Sequence, residues 1–200
     1  CRKNPLRVDT QSGIKTLWLT VENGTVQRVR VDMGAPELSP EKIPVQLHEK
    51  RVVDAPCAIG QETYRITCVS MGNPHCVVFV EDVDVLDLAK IGPQFEHAPL
   101  FPQGVNTEFI QILSPTEICM RVWERGSGET LACGTGACAS VVACVLAGKT
   151  GRRVQVHLRG GDLAINWDEK ADTVFMEGPA AFVFDGRIPA EGETAVVENA

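Results

Sequence analysis

Alternation of apolar and polar positions dominates the first part of the chain and predicts β-strands. Residues 15–21 (KTLWLTV) and 26–33 (VQRVRVDM) alternate in this way on either side of Asn23-Gly24. An Asn-Gly pair between two alternating runs is typical of a hairpin with a two-residue turn. We therefore predict a β-hairpin near the start of the chain.

Later segments predict more strands and one short helix. The helix is expected over 85–91 (VLDLAKI), with Asp84 as its N-cap and Gly92-Pro93 as its end, because Asp favours helix starts and Gly-Pro stops them. Strands are expected at 63–69, 76–80, 107–113, 117–124, 153–159, 162–168, 173–176 and 180–184.

The strongest helix candidate covers residues 135–147 and is closed by Gly148. It is apolar on almost every side, which is typical of a helix buried at the centre of its domain. Many strands around one buried helix indicate the α+β class. We expect a curved, mostly antiparallel sheet wrapped around this central helix.

Charge and composition narrow the function. The chain has 19 basic and 26 acidic residues and a net charge of -7, so it lacks the basic surface that nucleic acid or an anionic membrane requires. No apolar run approaches the roughly 20 residues that span a bilayer, and the first residues do not form a secretory signal. These features predict a cytoplasmic protein with a small-molecule ligand.

Eight cysteines invite a disulfide or metal interpretation. Cys76 and Cys144, however, lie within apolar runs, where free buried thiols are the better explanation. Cys133, Cys138 and Cys144 lack the spacing of metal ligands. No lysine occupies a recognisable site for pyridoxal phosphate. We therefore expect neither a metal nor a cofactor.

The segment 123–140 (WERGSGETLACGTGACAS) concentrates the candidate chemistry. Cys133 immediately precedes the central helix, whose free N–H groups and dipole lower a thiol pKa and bind a carboxylate. Glycines in the first turn let a ligand approach the backbone. The alternative is that Cys133 is simply a small buried residue at a tight turn.

Two further segments carry polar residues at strand starts. Residues 71–80 (MGNPHCVVFV) place Asn73 and His75 in a turn that leads into a strand, and 104–109 (GVNTEF) place Asn106 at the start of another. Each is weak by itself, because Asn-Pro turns are common and His often has a structural role.

Together the three segments resemble diaminopimelate epimerases, whose pattern contains GNPH, then VN before a strand, then ERG-x-GET-x-ACGTGAC. The resemblance extends to VDTQSG at 8–13, VDMG at 31–34 and GPA-x-x-V-x-DG at 178–186. It implies one half of a pseudo-symmetric fold with an active site between two domains. Residues 1–35 would be the last strands of an otherwise absent N-terminal domain, 36–186 the C-terminal catalytic domain, and 187–200 a tail.

The resemblance also implies a cofactor-independent conversion of LL- to meso-diaminopimelate by two opposed thiols. Cys133 would be one of these thiols, with His75 and Glu124 setting thiol protonation in a division that stays open. Gly134 and Thr135 would bind the reacting carboxylate through their N–H groups. The remaining substrate contacts would come from Glu124, Arg125, Asn73 and Asn106.

The chain lacks the CGNG-type motif that carries the family's other thiol. We therefore expect the 200-residue chain alone to be inactive. The base rate among soluble proteins favours a homodimer. A proline or hydroxyproline racemase or a phenazine-type isomerase is the alternative within the same superfamily. A catalytically inert carboxylate-binding fragment is the alternative outside it.

Overall fold

One twelve-stranded sheet and two helices make up the computed structural model, which describes residues 3–10 and 13–186. The predicted tail at 187–200 lies outside the described residues. The helices are α1 (Leu88–Glu96) and α2 (Gly134–Leu146). The strands are β1 (Leu6–Thr10), β2 (Gly13–Glu22), β3 (Thr25–Gly34), β4 (Ala55–Ile59), β5 (Glu62–Ser70), β6 (Pro74–Phe79), β7 (Asn106–Ser114), β8 (Glu117–Glu124), β9 (Gly128–Thr130), β10 (Arg153–Leu158), β11 (Gly161–Asp168) and β12 (Thr173–Pro179).

The strands follow the order β1-β2-β3-β12-β11-β10-β8-β7-β6-β5-β4, with β9 added to β8. Only the β6–β7 and β8–β10 pairs are parallel among the described strands. The sheet curves around α2, so the predicted α+β class is confirmed. Because β3 pairs with β12, the first strands continue the sheet formed by the rest of the chain.

The predicted hairpin is present as β2 and β3. Asn23 and Gly24 both have positive φ, 50° and 79°, as this two-residue turn requires. The prediction of a strand at 180–184 is wrong, because β12 ends at Pro179 and, among the described residues after it, only Ala180 still pairs with a strand, donating its N–H to the Gln27 carbonyl of β3 at 2.9 Å. Strands β1, β4 and β9 were not predicted, since they are short and form only against longer neighbours.

Helix α2 is the buried central element that its composition predicts. Every residue from Gly136 to Cys144 is buried, and the helix contacts β5 to β7 and β10 to β12. Gly148 adopts φ +67° just after the helix, a conformation that favours glycine at helix ends. The sheet therefore covers the helix and leaves its first turn at an edge.

Helix α1 differs from its prediction at both ends. Its N-cap is Asp87, which accepts a hydrogen bond from the N–H of Lys90 at 3.3 Å, and not Asp84. The helix also continues through Pro93 to Glu96. Proline weakens a helix interior, but here Phe95 is fully buried between Tyr64 and Phe109, with ring centroids 4.9 and 5.6 Å away. This tertiary packing compensates for the proline.

Neither helix of the described residues is long and apolar enough to cross a membrane.

Candidate active site

Three strand ends meet at the start of α2. Strands β6 and β7 run parallel and β8 runs antiparallel to β7, so the starts of β6 and β7 lie beside the end of β8. Val77, Ile110 and Val122 belong to the core around α2. Because side chains on a strand alternate in direction, the residues two positions nearer this edge, His75, Glu108 and Glu124, face the same side.

Cys133 is the N-cap of α2 and lies at this edge. Its backbone is extended, with φ -136° and ψ 109°, and its carbonyl accepts the first helical hydrogen bond from Ala137 at 2.9 Å. The thiol lies near the N–H of Gly136, which lowers its pKa, and 3.6 Å from the hydroxyl of Thr135. The N–H groups of Gly134 and Thr135 begin the helix and have no partner within it. The predicted thiol at a helix start is therefore present, next to two N–H groups able to bind an anion.

The expectation that this position lowers the thiol pKa is wrong. Burial raises the pKa of Cys133 to about 12, and the negative charges of Glu108 and Glu124 add to this effect. The Thr135 hydroxyl and the Gly136 N–H lower the pKa, but by less. Desolvation dominates because Cys133 is only 7% exposed. The thiol is therefore protonated at neutral pH in this chain.

A chain of hydrogen bonds leads from Cys133 to a buried carboxylate. His75 Nδ1 lies 2.7 Å from Glu108 Oε1, and both side chains are fully buried. His75 Nε2 lies 3.0 Å from Asn73 Oδ1, and Asn73 Nδ2 donates to Thr135 Oγ1 at 3.3 Å. Three predicted site residues are thus brought together beside the thiol.

Glu108 was not predicted as a site residue, although the sequence contained a signal. It follows Asn106 by two positions, and the same periodicity leads on to the core residue Ile110. A charged residue at an inward-facing position of a strand requires a buried partner. Only tertiary structure identifies that partner as His75.

Gly136 provides the space in which these groups meet. A Cβ at this position would lie 2.5 Å from Glu108 Oε1 and 3.2 Å from Cys133 Sγ. Any side chain would therefore displace the carboxylate or the thiol. The glycine-rich first turn is needed here for close packing inside the site as well as for access to the backbone.

Asn106 and Arg125 lie at the same edge, and both form hydrogen bonds within the protein. Both ends of the Asn106 amide are used within the protein, since Nδ2 donates to the Pro74 carbonyl at 2.8 Å and Oδ1 accepts from the Arg125 N–H at 3.0 Å. The exposed Arg125 guanidinium donates to the Gln103 carbonyl at 2.8 Å and borders an open pocket of about 490 Å³. Asn106 thus links the start of β6 to the turn after β8, and substrate contact by Asn106 or Arg125 stays a prediction.

Glu124 is half-buried at the end of β8 and accepts a hydrogen bond from the Thr130 hydroxyl. This contact fixes the carboxylate at the end of β8, directly before Arg125. The negative charge lies close enough to the thiol to raise its pKa. Glu124 is therefore placed where its charge acts on Cys133, and its role in setting thiol protonation stays a prediction.

The other cysteines of the described residues are free thiols in other environments. Cys138 and Cys144 are buried inside α2, and Cys68 and Cys76 belong to the second core around α1. Within residues 3–10 and 13–186, no three His, Cys, Asp or Glu side chains are grouped as a metal ion would require. Cys133 is thus the one described thiol at the start of a helix.

Comparison with known proteins gives a consistent result. The sequence profile of the family described as diaminopimelate epimerase matches residues 67–183. The chain is 52% identical over 186 residues to a diaminopimelate epimerase of Acetivibrio thermocellus and 55% identical over 184 residues to one of Desulfitobacterium hafniense. These alignments cover 93% and 92% of this chain but 66% and 65% of the relatives, so the chain spans just under two thirds of their length.

The fold is also similar to that of a probable proline racemase from Agrobacterium radiobacter K84. The TM-score is 0.64 at 16% sequence identity, and the match covers 88% of this chain and 57% of the other. At this level of identity the similarity concerns the fold alone.

Proposed function

Because the chain belongs to the diaminopimelate epimerase family, we propose that it forms one wall of the active site that converts LL- to meso-diaminopimelate. The observation that carries this proposal is the thiol of Cys133 at the start of α2, beside the His75–Glu108 pair. The reaction needs no cofactor, because a base, an acid and a site for the carboxylate are sufficient for it.

The start of α2 supplies the electrostatic part of the reaction. Removing the α-proton of an amino acid builds negative charge on the α-carbon and its carboxylate. The N–H groups of Gly134 and Thr135 bind that carboxylate, and the helix dipole stabilises the charge as it develops. Exclusion of water strengthens these interactions.

Cys133 transfers the proton on one face of the α-carbon. Its raised pKa keeps the thiol protonated at neutral pH, which suits delivery of a proton. When the reaction runs in the opposite direction, Cys133 acts as a thiolate base that accepts the α-proton. The Gly136 N–H and the Thr135 hydroxyl stabilise this thiolate. His75 and Glu124 adjust this balance.

Inversion requires a second group on the opposite face, since one base cannot reach both. We assign that role to a second thiol outside these 200 residues, in a segment with the family's CGNG-type motif. Arg125 and Glu124 contact the charged groups of the substrate, and Asn73 and Asn106 contribute at its far end. Residues 36–186 would then form the wall of the active site that carries Cys133. Residues 1–35 would extend the opposite wall, which carries the second thiol. Cytoplasmic location and homodimerisation stay predictions.

The test is inversion of LL-diaminopimelate in D2O, followed by optical rotation and α-deuterium uptake. The chain alone should not invert the substrate. Mixing it with a separately produced segment that carries a CGNG-type motif should produce inversion with deuterium incorporation.

Cys133→Ala should abolish this rescue, whereas Cys144→Ala, a buried cysteine further along the same helix, should leave it intact. Rescue that survives Cys133→Ala would exclude Cys133 as the base or acid. Inversion of L-proline but not of diaminopimelate would reject the substrate assignment. Binding of diaminopimelate without any exchange in the mixture would favour the inert carboxylate-binding alternative.

A further inference from the structure

Glu108 is a fully buried carboxylate that approaches Gly136 from the same side as the Cys133 thiol. Its Oε1 pairs with His75 Nδ1 at 2.7 Å, while its Oε2 has no hydrogen-bond partner among the described residues. A buried carboxylate is costly unless it is paired, and its charge raises the pKa of the thiol. The negative charge of Glu108 disfavours the thiolate form of Cys133. Its charge alone therefore does not explain a carboxylate beside a reacting thiol.

The hydrogen-bond directions along the chain provide that reason. A carboxylate can only accept, so His75 Nδ1–H donates to Glu108. His75 Nε2 faces the Oδ1 of Asn73, which also only accepts, so Nε2–H donates as well. Asn73 Nδ2 then donates to Thr135 Oγ1, which leaves the hydroxyl proton of Thr135 free to point at Cys133 Sγ.

We propose that Glu108 is a positioning residue that sets the direction of this hydrogen-bond chain, so that Thr135 donates its hydroxyl proton to the sulfur of Cys133. The proposal rests on the assignment of Cys133 as a reacting thiol. Glu108 then acts on the thiolate in two opposite ways. Its charge destabilises the thiolate directly, whereas its hydrogen bond, passed on through His75, Asn73 and Thr135, stabilises it.

The same residues have a second arrangement with the opposite direction. If His75 Nε2 carries no proton, the Asn73 amide must turn to donate to it, and Asn73 Oδ1 then faces Thr135. The Thr135 hydroxyl donates to that oxygen and can only accept from a Cys133 thiol. The second arrangement has one N–H bond fewer than the first, because the proton on His75 Nε2 has been released to solvent, and it differs otherwise only in the orientations of the Asn73 amide and the Thr135 hydroxyl. The first arrangement favours thiolate and the second favours thiol.

Several charged or titratable groups act on the thiol. A single variant therefore cannot separate the effect of the hydrogen-bond chain on the thiol pKa from the effects of nearby charges. Glu108 on β7, Glu124 on β8 and Cys138 on α2 lie near Cys133, and His75 on β6 faces Glu108 and Asn73. In Glu108→Gln, loss of the negative charge lowers the pKa of the thiol, while loss of the Thr135 donor raises it. A double-mutant cycle separates the two effects.

The cycle uses the native chain, Glu108→Gln, Thr135→Val and the double variant. The readout is the iodoacetamide alkylation rate of Cys133, resolved by peptide mass spectrometry, at about pH 8.5, the ordinary pKa of a free cysteine. In the Thr135→Val background, Glu108→Gln removes only a charge and should accelerate alkylation. In the native background the acceleration should be smaller or reversed.

The expected difference between the two backgrounds is on the order of threefold. A one-unit change in thiol pKa changes the thiolate population tenfold, and the altered nucleophilicity offsets about half of that on a logarithmic scale. Equal ratios in both backgrounds would mean that Glu108 acts through its charge alone, and would overturn the proposal.

A second measurement needs no folded variant of Glu108 or Thr135. The ¹⁵N shifts of His75 in the native chain, assigned against His75→Gln, should report protons on both ring nitrogens. A bare Nε2 would overturn the proposal. Neither readout involves turnover, so the absence of epimerase activity in the mixture with the CGNG-type segment would count against the proposed function and leave this test unaffected.

Discussion

At the scale of single residues, the site depends on close approach between groups from different elements. Gly136 of α2, Glu108 of β7 and the thiol of Cys133 share one small space, in which a Cβ on Gly136 would lie 2.5 Å from the carboxylate. Intrinsic helix propensity favours alanine over glycine by about 1 kcal/mol. The packing of this site opposes that preference.

Gly136→Ala should therefore destabilise the chain, because overpacking typically costs about 1–3 kcal/mol and exceeds the gain in propensity. Urea unfolding provides the measurement. Gly134→Ala is the matched control, since the nearest atom to its Cβ is the sulfur of the flexible Met176 side chain at 3.0 Å. If Gly134→Ala were the more destabilising of the two, the packing argument would be wrong.

Arg125 leads to a prediction about ligand binding. Arg125→Ala should weaken binding of a diaminopimelate analogue to the reconstituted enzyme by about 1.5–3 kcal/mol, the usual contribution of a charged hydrogen bond. Arg125→Lys should restore only part of the loss, because lysine cannot form two parallel hydrogen bonds with a carboxylate. Titration calorimetry measures both, with Arg65→Ala, an arginine paired with Asp54 elsewhere, as control. Unchanged affinity in the two Arg125 variants would refute the contact.

At the scale of elements, α1 illustrates how tertiary packing overrides local signals. Asp84 and Gly92-Pro93 are ordinary start and stop signals, yet the helix starts after Asp87 and continues to Glu96. Burial of Phe95 explains the extension. Gly92 permits it, because a Cβ there would lie 2.2 Å from the Trp123 ring.

Asp87→Ala should lower the free energy of unfolding by about 0.5–2 kcal/mol, the usual effect of removing an N-cap. Asp84→Ala should have almost no effect, because Asp84 is exposed and lies outside the helix. Chemical denaturation of both variants under identical conditions compares them directly. A larger loss for Asp84→Ala would restore the boundary that the sequence predicts.

At the scale of the whole molecule, ionised carboxylates stabilise separate parts of the fold. The hydroxyl of Ser39, followed by Lys42, lowers the pKa of Glu37 to about 2. The Trp123 indole lowers the pKa of Glu96, Arg65 lowers that of Asp54, and the Ala171 N–H lowers that of Asp168. Each group therefore has a lower pKa in the folded chain than in the unfolded chain.

Acid should destabilise the chain for this reason. A lowered pKa contributes stability that is complete above the unfolded value, 4.5 for Glu37, and is lost as the pH falls towards about 2. Glu37→Gln should flatten the dependence of unfolding free energy on pH in this window. Glu41→Gln, an exposed neighbour on the same loop, is the control. An unchanged slope in Glu37→Gln would show that Glu37 does not contribute.

Local sequence patterns were sufficient to predict most of the strands and helices and the position of the Cys133 thiol at the start of α2. Alternation located the long strands, uniform apolarity identified α2 as a buried helix, and Asn23-Gly24 located the hairpin turn, because each depends on neighbours a few residues away. The motif around Cys133 also indicated the family. The proposed strand at 180–184 failed because a strand needs a partner, and the alternation of residues does not identify one.

Only the tertiary structure decided which polar residues meet and how the thiol ionises. Glu108 and His75 are 33 positions apart, and they become partners because the parallel pairing of β6 and β7 places His75 opposite Asn106, two residues before Glu108. The pKa of Cys133 depends on the balance between desolvation and the donors of the helix start. The sequence places the donors beside the thiol, but the amount of water excluded around it depends on strands that are distant in the chain, and this burial outweighs the donors.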